Sequence, residues 1–114
     1  MKIYHNVRCR KSREALKIIE SKSRKIEVIE YLKKPMQKKD LKDILKLLKI
    51  SAIDLIRKNE SIYKEEFRGK NFSNDEWVEI ILKHPILMER PIIVKDNQAV
   101  IARPPEKVLN LFLK

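Results

Sequence analysis

The first 31 residues restrict the fold more than any other stretch, because two short strand patterns flank one helical pattern. Lys2-Ile3-Tyr4-His5 alternates as a short strand. The loop Asn6-Val7-Arg8 leads into a helix from about Cys9 or Arg10 to Ser21, with Leu16 and Ile19 at helical spacing. Ile26, Val28, Ile29 and Tyr31 then mark a second strand rich in β-branched residues. A strand–helix–strand unit needs a crossover connection, so its strands are expected to run parallel.

The remainder changes character twice. Pro35 marks a loop, and Leu41, Ile44, Leu45 and Leu48 follow the i, i+3, i+4, i+7 spacing of an amphipathic helix. Ser51 with Asp54 reads as a capping box opening a short helix through about Arg57. Ser73 with Glu76 repeats that signature before Trp77, Ile80 and Ile81, and Pro85 stops this helix after His84. Ile92-Ile93-Val94 and Ala99-Val100-Ile101 form a hairpin about Asp96-Asn97. Pro104-Pro105 starts a final helix with Val108, Leu109 and Phe112 on one face. The order is β-α-β, three helices, then β-β-α. It describes one α/β domain over residues 1–114, a mixed four-stranded sheet with helices and a helical insertion at about 36–86.

The net charge of +11 is unevenly spread. Residues 1–49 hold 16 Lys+Arg against 6 Asp+Glu, and residues 50–114 hold 11 against 10. Most lysines of the first half (Lys38, Lys39, Lys42, Lys46, Lys49) flank helical apolar positions, which reads as a solvated face. Aromatic residues are not interleaved with the basic ones, so no stacking platform for single-stranded nucleic acid is indicated. No apolar run approaches the length of a membrane span, no signal-peptide pattern follows Met1, and one cysteine forms no internal disulfide. The expectation is a cytoplasmic protein without a membrane partner.

The single cysteine lies between a strand end and a helix start. Free amide N–H groups and the positive end of the helix dipole favour the thiolate there, and Arg8, Arg10, Lys11 and Arg13 add potential of the same sign. His5, one strand-end away, can hydrogen-bond or pair with the sulfur. A lone intracellular cysteine is commonly an inert small hydrophobe. Polar and basic neighbours on both sides favour a nucleophile within reach of solvent. Ser12 and Asn6 can hydrogen-bond the sulfur or an anion, and helix capping or loop support is an equal reading for both.

Two catalytic templates fail on spacing. The C-x5-R loop of cysteine-dependent phosphatases, and of the arsenate reductases built like them, needs an arginine where this chain has Ala15. A dithiol oxidoreductase needs C-x-x-C, and the chain reads Cys9-Arg10-Lys11-Ser12. Any redox cycle must take its second thiol from outside.

Four ordered blocks, Tyr4 to Arg13, Leu55 to Glu60, His84 to Ile92 and Ala102 to Glu106, resemble the glutaredoxin-coupled arsenate reductase family over nearly the whole chain. The resemblance implies a thioredoxin-like fold with a helical insertion. It implies that Cys9 attacks arsenate and that glutathione, as co-substrate, displaces and reduces the adduct with help from glutaredoxin. It further implies Arg57, Arg90 and Arg103 as oxyanion ligands, His5 beside the nucleophile, and Pro91 at the position of a cis peptide bond. No bound cofactor and no metal are expected. Arg90 and Arg103 stand out independently, each next to a proline at an edge of the hairpin, whereas Arg57 rests on the resemblance alone. Forked guanidinium groups suit a dianion attacked by an anion, and lysine would supply charge without the fork.

Val7 and Ser61 replace residues that are commonly proline in the family, without removing a functional group. A rival reading is the Spx-type regulator, which shares the fold and binds RNA polymerase. Its typical C-x-x-C is absent here, and Arg103-Pro104, which such regulators lack, is present. A thiol oxidoreductase relative with another substrate is a second rival. A nucleic-acid partner, resting on net charge, is the weakest.

Overall fold

A computed structural model describes residues 1–23, 25–34 and 36–112. The loop expected at Pro35 lies outside the described residues. The chain groups into two compact units, Met1–Lys34 with Arg90–Lys114, and Pro35–Glu89.

The first unit carries the sheet, with strands β1 (Lys2–Tyr4), β2 (Glu27–Ile29), β3 (Ile92–Lys95) and β4 (Gln98–Ile101) in the order β2-β1-β3-β4. β1 and β2 pair in parallel, Ile3 opposite Val28, as the crossover requires. β1 and β3 pair antiparallel, Ile3 opposite Ile93, and β3 returns to β4 through the expected hairpin. Asp96 takes the turn at φ 55°, a left-handed conformation that aspartate tolerates. The sheet is therefore mixed and four-stranded, and the fold is thioredoxin-like.

Helix α1 (Arg10–Lys22) is the crossover. It turns Ser12, Ala15 and Ile19 inward, and the Ser23 N–H closes its end on the Ile19 carbonyl. Ile3, Ala15, Ile19, Ile93, Ala102, Val108 and Leu111 form one buried core between this helix, one sheet face and the C-terminal segment. That segment, Pro105–Phe112, is a 3₁₀ helix. Its period of three buries Pro105, Val108 and Leu111. The α-helical spacing expected there is thus corrected. Leu109 faces solvent, and Phe112 only flanks the core.

The second unit holds helices α2 (Lys38–Leu48) and α3 (Asn74–Lys83), which pack together, and two short 3₁₀ turns. Helix α2 ends on Lys49 at φ 59°, whose N–H reaches the Leu45 and Lys46 carbonyls. Both capping boxes form. Ser73 N–H donates to Glu76 Oε1 at 2.9 Å, and Glu76 N–H donates to Ser73 Oγ at 3.2 Å. The box at Ser51 opens a 3₁₀ turn over Ala52–Leu55 that ends before Arg57. Ile56 is extended instead and bridges to Met88. Between them, Tyr63–Phe67 forms a π-helical turn, where the sequence suggested no element. Its Phe67 ring meets those of Phe72 and Trp77, each at 6.2 Å between centroids, and Phe72 and Trp77 meet each other at 4.9 Å. No helix among the described residues is long and apolar enough to cross a membrane.

The sheet-to-α1 core carries an expected outcome for stability. Ile93→Ala should destabilise the protein by about 2–5 kcal/mol, because Ile93 is fully buried and leaves a cavity on truncation. Val28→Ala, at a half-exposed position of the edge strand, should cost about 0.5 kcal/mol or less. Urea denaturation of both variants checks this, and equal losses would remove the distinction.

Candidate functional site

The site is built on the turn from β1 into α1. His5 N–H donates to the Ile29 carbonyl at 2.8 Å, extending the parallel pairing by one step. Asn6 then folds the chain back. Its carbonyl accepts the Cys9 N–H at 3.0 Å, and its Oδ1 accepts the Arg8 N–H at 3.0 Å. Arg13 Nη1 donates to the Val7 carbonyl at 2.9 Å, tying the loop to the helix it precedes. Cys9 is the N-cap residue of α1, with extended backbone. Its sulfur faces the free N–H groups of the first helical turn.

The sulfur's donors come from the helix start and from both ends of the hairpin. The thiolate accepts the backbone N–H of Ser12 and of Lys11, and the Arg90 guanidinium hydrogen-bonds it. Arg103 Nη2 approaches the sulfur at 3.8 Å. Cys9 is 9% exposed, so the expectation of a solvent-open thiol is corrected to a largely covered one facing two guanidinium groups. Burial alone pushes the Cys9 pKa up. The Ser12 N–H, the Arg90 hydrogen bond and charge, and the Lys11 N–H outweigh it, leaving the pKa below that of an ordinary thiol.

The peptide bonds Arg90-Pro91 and Arg103-Pro104 are both cis. Pro91 carries the bond expected of it, and Ala102 N–H donates to the Pro91 carbonyl at 2.9 Å. The two Arg-Pro steps thus enter and leave the β3–β4 hairpin side by side. Arg103 Nε is buried and makes no hydrogen bond among the described residues.

His5 and Ser12 form a buried polar pair behind the loop. His5 Nδ1 and Ser12 Oγ lie 2.7 Å apart, and Ser12 Oγ also accepts the Asn6 N–H at 3.1 Å. The Ser12 side chain therefore supports the loop, and it is fully buried. The His5 pKa is lowered, chiefly by burial. Glu30 opposes that effect, Arg13 reinforces it, and Glu20 opposes it. The imidazole is accordingly neutral at physiological pH.

Arg57 belongs to the second unit. Its N–H donates to the Leu87 carbonyl at 2.6 Å, and Glu89 N–H donates to the Leu55 carbonyl at 2.8 Å. This short bridge pairs Leu55–Arg57 with Leu87–Glu89, the residues directly before Arg90 in the chain. The Arg57 guanidinium is engaged by Glu60 Oε1 at 2.6 Å. Sequence reading passed over Glu60 as a partner, although its i, i+3 spacing from Arg57 was visible. It also passed over the Lys11 and Ser12 amides as specific donors, which only the cap geometry at Cys9 reveals. Among the described residues, no three His, Cys, Asp or Glu side chains gather as a metal site. The arrangement can present a nucleophilic sulfur to an anion and hold the anion's oxygens with guanidinium donors.

Comparison with known proteins agrees with this architecture. Residues 4–111 match the model of the ArsC family. The chain is 42% identical to YfgD of Escherichia coli K12, across 97% of this chain and 95% of that one. It is 39% identical to an arsenate reductase of Neisseria meningitidis, across 95% and 94%. The solved structure of an arsenate reductase from Vibrio cholerae superposes with a TM-score of 0.90 at 38% identity, covering 96% of this chain and 97% of that one. With a match spanning almost its entire length, this chain belongs to the ArsC family.

Proposed function

We propose that this protein is an arsenate reductase that uses Cys9 as nucleophile and takes its second thiol from glutathione, with glutaredoxin completing the cycle. The observation that carries the reading is the Cys9 sulfur, set on the α1 amides and faced by Arg90 and Arg103. Similarity to arsenate reductases supplies the identity of the anion.

The chemistry follows from one thiol. The Cys9 thiolate attacks the arsenic of arsenate, forming an S–As bond as the As–O bond to a hydroxyl breaks, and that hydroxyl leaves as water after taking a proton from solvent. Arg90 and Arg103 neutralise the negative charge that accumulates, and Arg103 Nε is a donor available to an arsenate oxygen. Reduction from As(V) to As(III) requires two electrons. A glutathione thiolate attacks the Cys9 sulfur, the S–As bond breaks, and its electron pair stays on arsenic. Arsenite leaves, and Cys9 is joined to glutathione as a mixed disulfide. A glutaredoxin thiolate then takes the glutathione sulfur and releases Cys9. Resemblance to the family adds Arg57 to this reading as a third oxyanion ligand.

Several outcomes test it. Purified protein supplied with arsenate, glutathione and glutaredoxin should form arsenite, and Cys9→Ser should abolish the reaction. Absence of arsenite formation by the wild type, together with its capture on RNA polymerase, would establish the regulator reading instead. Arg103→Lys keeps charge and loses the fork, so kcat/KM for arsenate should fall by about 100-fold.

The pH dependence has a defined sign. Because the folded Cys9 pKa is lowered, the thiolate persists at pH values where a free thiol is protonated, and it is lost as pH falls through the lowered value. Iodoacetamide alkylation of Cys9 should therefore show a midpoint below about 8.5. Arg90→Leu should move that midpoint upward. A midpoint at the free-thiol value in the wild type would remove the electrostatic argument.

A further inference from the structure

Arg13 lies one helical turn beyond Cys9 in α1, its own N–H bonded to the Cys9 carbonyl at 3.0 Å. Its side chain is exposed, yet it turns back on the loop that precedes the nucleophile. Arg13 Nη1 donates to the Val7 carbonyl at 2.9 Å, six residues earlier in the chain. Among the described residues Arg13 has no carboxylate partner, and the adjacent Glu14 is paired with Arg10 at 2.9 Å. The Val7 carbonyl is therefore what orders this guanidinium.

The middle of that loop has little else to hold it. Asn6 is fixed by its N–H on Ser12 Oγ and by its carbonyl on the Cys9 N–H, and Cys9 is fixed by opening α1. Val7 lies between these anchors with its side chain 46% exposed, so packing does not locate it. The outer flank of the loop opens on a groove of about 250 Å³, lined in part by Val7, Arg8, Leu32 and Lys33. Val7 also lacks a ring to set its φ, at a position where the resembled family commonly carries proline. Arg13 is thus the contact by which α1 grips the centre of the turn that delivers Cys9 to its amide donors.

We propose that Arg13 is a positioning residue for the reaction at Cys9, a strap that fixes the Asn6–Cys9 turn through the Val7 carbonyl and so aims the Lys11 and Ser12 amides at the sulfur. The inference deepens the proposed function and rests on it for arsenate turnover alone, since the sulfur's surroundings can be read without arsenate. Arg13 acts through the turn and not on the reacting atoms, because its guanidinium is committed to a backbone carbonyl. Its direct field at the sulfur is weak, as an exposed cation is screened by water and salt. The guanidinium groups of Arg90 and Arg103 face the sulfur instead. Arg13 also contributes to lowering the His5 pKa. Removing it favours an imidazolium near Cys9, which would stabilise the thiolate, so this indirect effect opposes the one expected from a lost strap.

Iodoacetamide alkylation of Cys9, followed against pH, separates a strap from a charge. Arg13→Leu should raise the midpoint by about 0.5 pH unit over wild type, and the rise should persist in about 1 M NaCl, where the screening length is about 3 Å. Arg10→Leu removes an equal charge from the first turn of α1 and leaves the strap in place, so at high salt its midpoint should match the wild type's. Val7→Pro restricts φ at the held residue and, added to Arg13→Leu, should return the midpoint to the wild-type value. With arsenate, glutathione and glutaredoxin supplied, kcat/KM of Arg13→Leu should fall by about 10-fold and the double variant should recover most of it. A shift that disappears at high salt, or that Arg10→Leu reproduces there, would overturn the strap and leave arsenate reduction standing. So would a lowered urea midpoint in Arg13→Leu with an unchanged alkylation profile, which marks a bond that only stabilises the fold. Conversely, a salt-resistant shift repaired by proline, in a protein that forms no arsenite, would retain the strap and remove the substrate.

Discussion

The site depends on how the chain turns from β1 into α1 without a glycine. Four residues, Asn6 to Cys9, must leave the sheet and enter a helix while every buried polar group finds a partner. The Asn6 carbonyl closing on the Cys9 N–H makes that turn, and the fully buried Ser12 holds it from behind through the Asn6 N–H and the His5 ring. Once the turn is set, Cys9 is the N-cap residue by position. Its sulfur then lies where the free amides of Lys11 and Ser12 in the first turn are directed. Packing, capping and reactivity are consequently a single constraint. A different turn would move the nucleophile and uncap the helix together.

The charge at the site comes from groups that do not titrate near neutrality. His5 is the obvious candidate for a cation beside a thiolate, yet its burial lowers its pKa and keeps it neutral. Positive potential is supplied instead by the guanidinium groups of Arg90 and Arg103. A neutral imidazole bonded to Ser12 fixes geometry, and the arginines fix charge. The two Arg-Pro steps place both cations at the mouth of one hairpin, tied across by the Ala102 N–H to the Pro91 carbonyl.

Much of this was legible in the residues, and the failures share a cause. The parallel β1–β2 pair, the hairpin about Asp96-Asn97 and both capping boxes have local signatures that tertiary packing did not override. The C-terminal helix misled because a period of three and a period of 3.6 diverge slowly. Val108 belongs to both faces, and only Leu111 against Leu109 separates them. The exposure of Cys9 was overestimated because the basic neighbours in sequence are not the groups that cover it. Arg90 and Arg103 reach it from the far end of the chain. Tyr63–Phe67 carried no recognisable pattern, since a π turn held by aromatic rings from Phe72 and Trp77 is specified by packing.

A chain with one thiol has to tune that thiol for two opposite tasks in the proposed cycle. Cys9 attacks first and is expelled later. Lowering its pKa raises the thiolate fraction and improves departure, but it also reduces the intrinsic nucleophilicity of the sulfur. The most useful value lies near ambient pH rather than far below it. The opposing contributions at Cys9 have the right signs for such a compromise. Burial pushes the pKa up, and the amide and guanidinium donors pull it down past the ordinary thiol value. The cover over the sulfur therefore does more than exclude water. It limits how far the arginines can acidify a thiolate that they must also leave reactive.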